Sequence, residues 1–394
     1  LIRLVLRKGR EASLRRRHPW LFSGAVARSE GDGSDGVAEV LSEEGERLAV
    51  GAYSPESQIV ARLWSFGGEE APGQAVFRER FAAARSLRDR VLPGDGETTG
   101  FRAVHSEGDR CPGVVLDVYG GTGVLDLSTE GTELWEAPLA EAAKNEFGLG
   151  RLIVRRTGTA RDRGRGHQPL PADAGERETV PFRELGLAFL ADVGSGQKTG
   201  FFLDQRDNRA RARSLARGRR VLNLFSYSGG FSVAALAGGA VRAVDVDASE
   251  PALALAAEHR RANGFPADAP DFVRADVFED LRARVAAGES WDLVVCDPPA
   301  FAKKRGDVDR AARGYKDVNR LAMRLVAPGG MLLTCSCSGL VDPTLFQQIV
   351  FAAELESGAS FSLFARQGAG ADHPVSIDCP EGEYLKGMWL ARTR

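Results

Sequence analysis

An aspartate and a thiol stand at the ends of two apolar runs. DLVVCDPPAF at 292–301 reaches Asp297-Pro298-Pro299, and LLTCSCSGL at 332–340 reaches Cys337. Each run reads as a buried strand, so the two groups are expected at strand ends of one α/β sheet, where an acid and a nucleophile can attack an aromatic base. A thiol there has a specific use. C5 of cytosine is too weak a nucleophile to take a methyl group directly. A thiolate adding to C6 makes C5 enamine-like, and loss of the C5 proton after methylation expels the thiol. Methylation of nitrogen needs no cysteine, so Cys337 separates the two chemistries while Asp297 serves both. Asp297 can accept from an exocyclic amine or, protonated, donate to cytosine N3. The two prolines fix φ and form a rigid lip, with Phe301 as a stacking surface. Cys335 shares a strand side with Cys337 by alternation and is expected in the core, as is Cys296 on the opposite side. Residue types alone leave a structural role for Cys337 open.

A second motif, VLNLFSYSGGFSVAALAGG at 221–239, places an apolar strand before Ser226, Gly229 and Gly230 and then a helix. Glycines let the backbone turn tightly against a ligand, and the helix start offers free N–H groups. Asp245, twenty-two residues after Asn223, is expected at the end of the next strand, where a carboxylate can bind two ribose hydroxyls. Asp276 at the following strand end suits an adenine amino group. The pattern is not GxGxxG, so an adenosyl cofactor is expected instead of a nicotinamide, with helix capping as the competing explanation of each acid. In FFLDQRDNR at 201–209, Gln205 and Arg206 can grip a carboxylate or phosphate, or simply begin an amphipathic helix.

These groups need a scaffold, and the chain has length for two or three domains: 394 residues, 43% hydrophobic, 27% charged. No apolar run reaches the ~18 residues of a membrane span, and LIRLVLRKGR is too short for a signal peptide. The five cysteines, at 111, 296, 335, 337 and 379, match neither a disulfide framework nor a common zinc spacing. No metal is expected, and a reducing cytoplasm is the expected location. Net charge is −2 but uneven: residues 1–28 carry eight Arg/Lys against one Glu, 203–220 seven Arg against two Asp, and 303–324 eight Arg/Lys against three Asp. These segments either form a phosphate-binding face or are separate solvated surfaces.

Residues 1–73 read as short strands in a small β-barrel-like domain, ending at Pro72-Gly73. Residues 74–190 mix helix and strand, beginning with an amphipathic helix over 74–92 and holding a Gly-, Arg- and Pro-rich insertion at 158–178 that reads as a mobile surface segment. From 191 to 394, apolar strands at 220–225, 241–246, 271–276, 291–297 and 330–336 alternate with helices, the pattern of a doubly wound, mostly parallel sheet.

On these motifs the chain resembles the bacterial 23S ribosomal RNA cytosine-C5 methyltransferases of the large-subunit methyltransferase I type. RRRHPWLFSGAV resembles the family's N-terminal PUA domain, and GFFLDQRDNR, LNLFSYSGGFSVAA, DPPAF, TCSCSGL and DHPVSIDCPEGEYLKG resemble its remaining hallmarks in order. The resemblance covers essentially the whole chain. It implies a class I methyltransferase fold, Rossmann-like with a seven-stranded sheet, preceded by a PUA domain (1–73) and a middle α/β domain (74–190). It implies S-adenosylmethionine held by Asn223, Ser226, Tyr227 and Gly229, by Asp245 and Asp276, with Gln205 and Arg206 closing over the site. It makes Cys337 the nucleophile and Asp297 its partner acid. The implied partner is 23S ribosomal RNA, naked or partly assembled, with a homodimer allowed for and no membrane. Many related enzymes carry a second cysteine directly after the prolines; here that position is Ala300, so product release must use another base. Nitrogen methylation of RNA and a non-catalytic RNA-binding role are the competing expectations.

Overall fold

The structure, a computed structural model, describes residues 1–158, 177–302 and 304–394. The expected mobile insertion at 158–178 lies, apart from its ends, outside the described residues. Two compact units form. The first comprises Leu1–Arg183, Ala191–Leu203 and Ala371–Gly382; the second comprises Glu184–Leu190, Asp204–Gly370 and Glu383–Arg394.

The first unit opens with β1 (Ile2–Leu6), β2 (Trp20–Phe22), β3 (Val26–Gly31), β4 (Val37–Leu41), β5 (Arg47–Tyr53) and β6 (Ile59–Phe66), in sheet order β2-β6-β5-β4-β1-β3. Only β1 and β4 pair in parallel among these strands. The expected amphipathic helix spans Gln74–Val91 and buries Val76, Phe77, Phe81 and Ala84. A second sheet follows, of β7 (Gly100–His105), β8 (Val114–Tyr119), β9 (Thr122–Leu127) and β10 (Arg151–Arg156), with helix Glu136–Phe147 crossing between the parallel β9 and β10. Its core takes in Ala52 and Trp64 from β5 and β6, with Trp64 edge-on to Phe77 and Trp135. That shared packing explains why residues expected as an N-terminal and a middle domain fall in one compact unit.

The late segment Ala371–Gly382 is tied into this unit by charge. Asp372 accepts from the Arg102 N–H at 2.8 Å, and Arg88 donates to the Asp372 carbonyl at 2.7 Å while gripping Asp109 with both terminal nitrogens. His18, Cys379 and Glu381 also converge in the manner of metal ligands. However, the Trp20 N–H donates to His18 Nδ1 at 3.2 Å, which puts the ring proton on Nε2, 3.4 Å from Glu381. A metal needs that nitrogen bare, so the trio is a hydrogen-bonded clasp.

The chain passes through a hairpin of β11 (Thr179–Glu184) and β12 (Leu187–Asp192) into the second unit. There β13 (Arg220–Leu224), β14 (Arg242–Asp247), β15 (Phe272–Arg274), β16 (Trp291–Cys296), β17 (Val326–Ser336), β18 (Phe361–Gln367) and β19 (Lys386–Arg392) form one sheet in the order β15-β14-β13-β16-β17-β19-β18. β15, β14, β13, β16 and β17 are mutually parallel, and β19 runs antiparallel to both its neighbours, β17 and the edge strand β18. Alternation along β16 shows why these strands are apolar throughout: Leu293 and Val295 enter one core, Val294 and Cys296 the other. One face is covered by helices Val308–Leu325 and Pro343–Ser357, the other by Arg206–Leu215 and Gly230–Ala237. The order reverses beside β13, so the crevice at the carboxyl ends of β13, β14, β16 and β17 is the topological switch point, where ligands of such sheets bind. No helix of the described residues is long and apolar enough to cross a membrane.

Candidate active site

β16 is central, paired with β13 and β17, and its last four residues, 293–296, are apolar because they fill the cores on both faces of the sheet. The ladder stops because Pro298 and Pro299 have no N–H to continue it. Asp297, the first residue beyond, is half-buried and accepts from Gln205 Nε2 at 2.9 Å. Gln205 is held in turn by Asn208 (2.7 Å), and Asn208 by the Trp389 indole N–H (3.0 Å). This buried relay fixes the Asp297 carboxyl on the side away from solvent.

Cys296 pairs with Thr334 on β17, which carries the register on to Cys335 and Cys337. Cys335 is fully buried in the core, and burial pushes its thiol well above the ordinary range, with Asp297 adding to the shift. Cys296 is likewise buried, and its thiol is raised for the same reasons. Cys337 is different: it lies past the last ladder pair, partly exposed, with Sγ 3.9 Å from the Pro298 carbonyl. Tyr315 donates to the Pro299 carbonyl at 3.5 Å and Ser338 to the Ala302 carbonyl at 3.0 Å, so the lip is fastened on both sides of the thiol. Burial pushes the Tyr315 phenol up to about 12, which keeps it a neutral donor. Lys386, opposite Ser336 in the β17–β19 register, donates to the carbonyls of Ser338 (2.6 Å) and Tyr384 (2.7 Å).

At the cofactor end, Phe225, Tyr227 and Gly229 all have positive φ, 56°, 47° and 72°. A Cβ at Gly229 would come within 2.8 Å of Ala256 Cβ, so only glycine fits without displacing the next helix. His259 Nδ1–H donates to the Ser228 carbonyl at 2.8 Å and supports the loop from behind. The Ser226 hydroxyl is buried and has no hydrogen-bond partner among the described residues. A tight loop at a helix start with an unsatisfied buried hydroxyl fits a polar ligand such as the adenosyl cofactor.

The expected cofactor acids do not all face this loop. Asp245 is fully buried: Oδ1 accepts from Asn223 (2.8 Å) and Ser232 (2.6 Å), and Oδ2 from the buried Arg260 (2.6 Å). Neither Asp245 nor Asn223 is available to a ribose; both knit β13 to β14 and the flanking helices. The acid at the strand end is Asp247, which accepts from the Tyr227 N–H and the Ser249 N–H, each at 2.8 Å, and is only half-buried. Sequence reasoning passed over it, though in VDVD the two acids share one strand face and only the outer one lies beyond the pairing with β13. Asp276 is exposed and caps helix Val277–Ala286 through Oδ1, on the N–H groups of Phe278 and Glu279. Gln205 serves Asp297, and Arg206 is buried 3.8 Å from Glu184, which also takes a two-pronged grip from Arg209. The structure thus groups Gln205, Asp297 and Cys337 at one end of the crevice, and Ser226, Tyr227, Gly229 and Asp247 at the other.

Comparison with known proteins bears on what this crevice holds. A family model described as an S-adenosylmethionine-dependent methyltransferase matches residues 165–368, and one described as a PUA-like domain matches residues 4–66. Proteins of Yersinia pseudotuberculosis and Yersinia pestis named ribosomal RNA large subunit methyltransferase I are 42% identical over 394 residues, covering 98% of either chain. Among solved structures, SMU.776 in complex with S-adenosylhomocysteine superimposes with a TM-score of 0.83 over 99% of this chain and 100% of its own, at 23% identity. A methyltransferase candidate from Streptococcus mutans gives 0.82 at 22% identity with the same coverage. At such identities the structural likeness establishes the fold: a class I methyltransferase domain joined to a PUA-like one. The sequence matches establish more: the cofactor is S-adenosylmethionine, and the chain belongs to the ribosomal RNA large subunit methyltransferase I family.

Proposed function

We propose that this enzyme methylates C5 of a cytosine in 23S ribosomal RNA, with Cys337 as a covalent nucleophile. One observation carries the reading. Of the two strand-end thiols, Cys335 is sealed in the core, whereas Cys337 is partly exposed beside the Pro298 lip, on the strand next to that of Asp297. Nitrogen methylation has no use for that thiol.

In the proposed sequence the cytosine leaves its stack to enter the crevice, which favours naked or partly assembled RNA as substrate. Asp297, its other oxygen held by Gln205, meets the N3/N4 edge and donates a proton to N3 as the Cys337 thiolate adds to C6. When bound, S-adenosylmethionine supplies the electrophilic methyl group that C5 then takes. A base removes the C5 proton, the Cys337–C6 bond breaks to return the thiolate, and N3 gives its proton back to Asp297. With Ala300 after the prolines, no second cysteine serves that step. Ser226, Tyr227 and Gly229 would hold the cofactor's chain, Asp247 the ribose hydroxyls in place of Asp245, and Asp276 the adenine amine.

The decisive experiment combines isotope-labelled cofactor, ribosomal RNA and nucleoside analysis. The expected product is 5-methylcytidine, absent with Cys337→Ala while cofactor affinity persists. RNA carrying 5-fluorocytidine should trap a covalent complex, because fluorine cannot leave as a proton does. Labelled N-methyl nucleoside without 5-methylcytidine, or full activity of Cys337→Ala, would refute the reading.

A further inference from the structure

Lys386 is a buried ammonium, 7% exposed, that the steps above do not use. Its antiparallel strand places it opposite Ser336, and its Nζ reaches the carbonyl of Ser338, the residue after the nucleophile. Two neutral carbonyls are its hydrogen-bond partners among the described residues. A buried cation so held is costly unless an anion lies near. The carboxylates closest in influence are poor candidates for that anion. Glu383 is exposed, and Asp342 is exposed and caps helix Pro343–Ser357 through the Leu345 N–H. Burial lowers the Lys386 pKa, and Cys337 is the strongest influence opposing that shift.

The other groups around Cys337 do not favour a thiolate. Asp297, protonated or ionised, offers no positive charge to it, and Tyr315 is a neutral phenol tied to the Pro299 carbonyl. Resting on the covalent reading of Cys337, we propose that Lys386 is the positioning residue that generates the nucleophile, its fixed ammonium holding Cys337 as a thiolate beside the lip. The thiol proton passes to solvent before the base enters, Lys386 keeps its own proton throughout, and no general base is needed for this step. The two hydrogen bonds to the chain on either side of the strand end give the ammonium a fixed position, which a flexible surface lysine lacks.

The test is the pH dependence of Cys337 alkylation by iodoacetamide, followed by mass spectrometry of the 337-containing peptide. In the wild type the midpoint should lie below that of the same chain unfolded in urea. Lys386→Met should raise it and slow alkylation at pH 7 roughly tenfold, the change that one pH unit gives for a thiolate reagent. Lys386→Arg, which retains the charge, should recover part of the loss. Cofactor affinity of each variant reports whether the domain is folded. A wild-type midpoint at or above that of the unfolded chain, or an unchanged midpoint in folded Lys386→Met, overturns the proposal. The alkylation readout needs no RNA, so its failure is distinguishable from failure of the C5 assignment, which the Cys337→Ala product analysis judges separately.

Discussion

Two cysteines separated by one residue have opposite fates because a strand ladder ends between them. Cys335 is fully buried and still paired with Gly387 of β19, and Cys337 is past the last pair. Cys335→Ala should therefore cost about 1 kcal/mol of stability for the small cavity it leaves, with methylation retained in the folded fraction, as read by chemical denaturation and product assay. The two acids of β14 divide in the same way. Asp245→Ala takes from buried Arg260 the nearer of its two carboxylates, leaving Asp271 at 3.4 Å, and should destabilise by about 3 kcal/mol, the lower end of the cost of breaking a buried pair. Asp247→Asn keeps one of two backbone acceptors, so it should cost only about 1 kcal/mol of stability while weakening S-adenosylmethionine binding about ten- to a hundredfold, as for loss of a charge-assisted hydrogen bond, measured by calorimetry. The reverse pattern would return the ribose role to Asp245.

At the level of elements, the site is made by strand ends and by what stops each strand. Prolines stop β16, a turn of left-handed residues follows β13, and Asp276 turns the chain from β15 into a helix. The glycine loop is the least tolerant of these devices. Gly229→Ala would carry both a positive φ, costing about 1–2 kcal/mol for a residue with Cβ, and a close contact with Ala256. The expected outcome is a lower thermal midpoint together with weakened cofactor binding. Unaltered affinity would show that the loop does not touch the cofactor. β19 contributes in a different way, since its antiparallel insertion beside β17 brings Lys386 and Trp389 from a distant part of the chain to the proposed reacting groups.

For the whole molecule, the basic segments are less free than their charge suggests. Arg206 and Arg209 are buried with Glu184, and Arg220 pairs at the surface with Asp292, so part of the 203–220 charge is already engaged within the fold. In 303–324, Arg310, Lys316 and Arg320 are paired, and Lys303 lies outside the described residues. In residues 1–28, Arg3, Arg15, Arg17 and Arg28 have carboxylate partners, while Arg7, Lys8, Arg10 and Arg16 are exposed without an ion pair among the described residues. RNA affinity should fall when Lys8, Arg10 and Arg16 are all changed to Glu. The slope of log affinity against log salt should flatten by about 2, at ~0.7 per phosphate contact for single strands. An unchanged slope would place the RNA elsewhere.

What the sequence determined by itself was whatever is local. Apolar runs, the prolines after Asp297, the glycines after β13 and the order of strands and helices follow from residue types a few positions apart. They were enough to read the fold class and to put the proposed reacting pair and the glycine loop at strand ends. Tertiary structure decided which polar groups are spent inside. Arg260 reaches Asp245 from the next helix, Glu184 reaches Arg206 and Arg209 from a preceding hairpin, and Lys386 arrives beside Cys337 from the last strand. β18 and β19 were not anticipated as strands, because their pairing depends on a sheet already built. A carboxylate facing a ligand and one facing a buried guanidinium have the same local sequence. Only the partner, distant in the chain, makes one a binding group and the other part of the core.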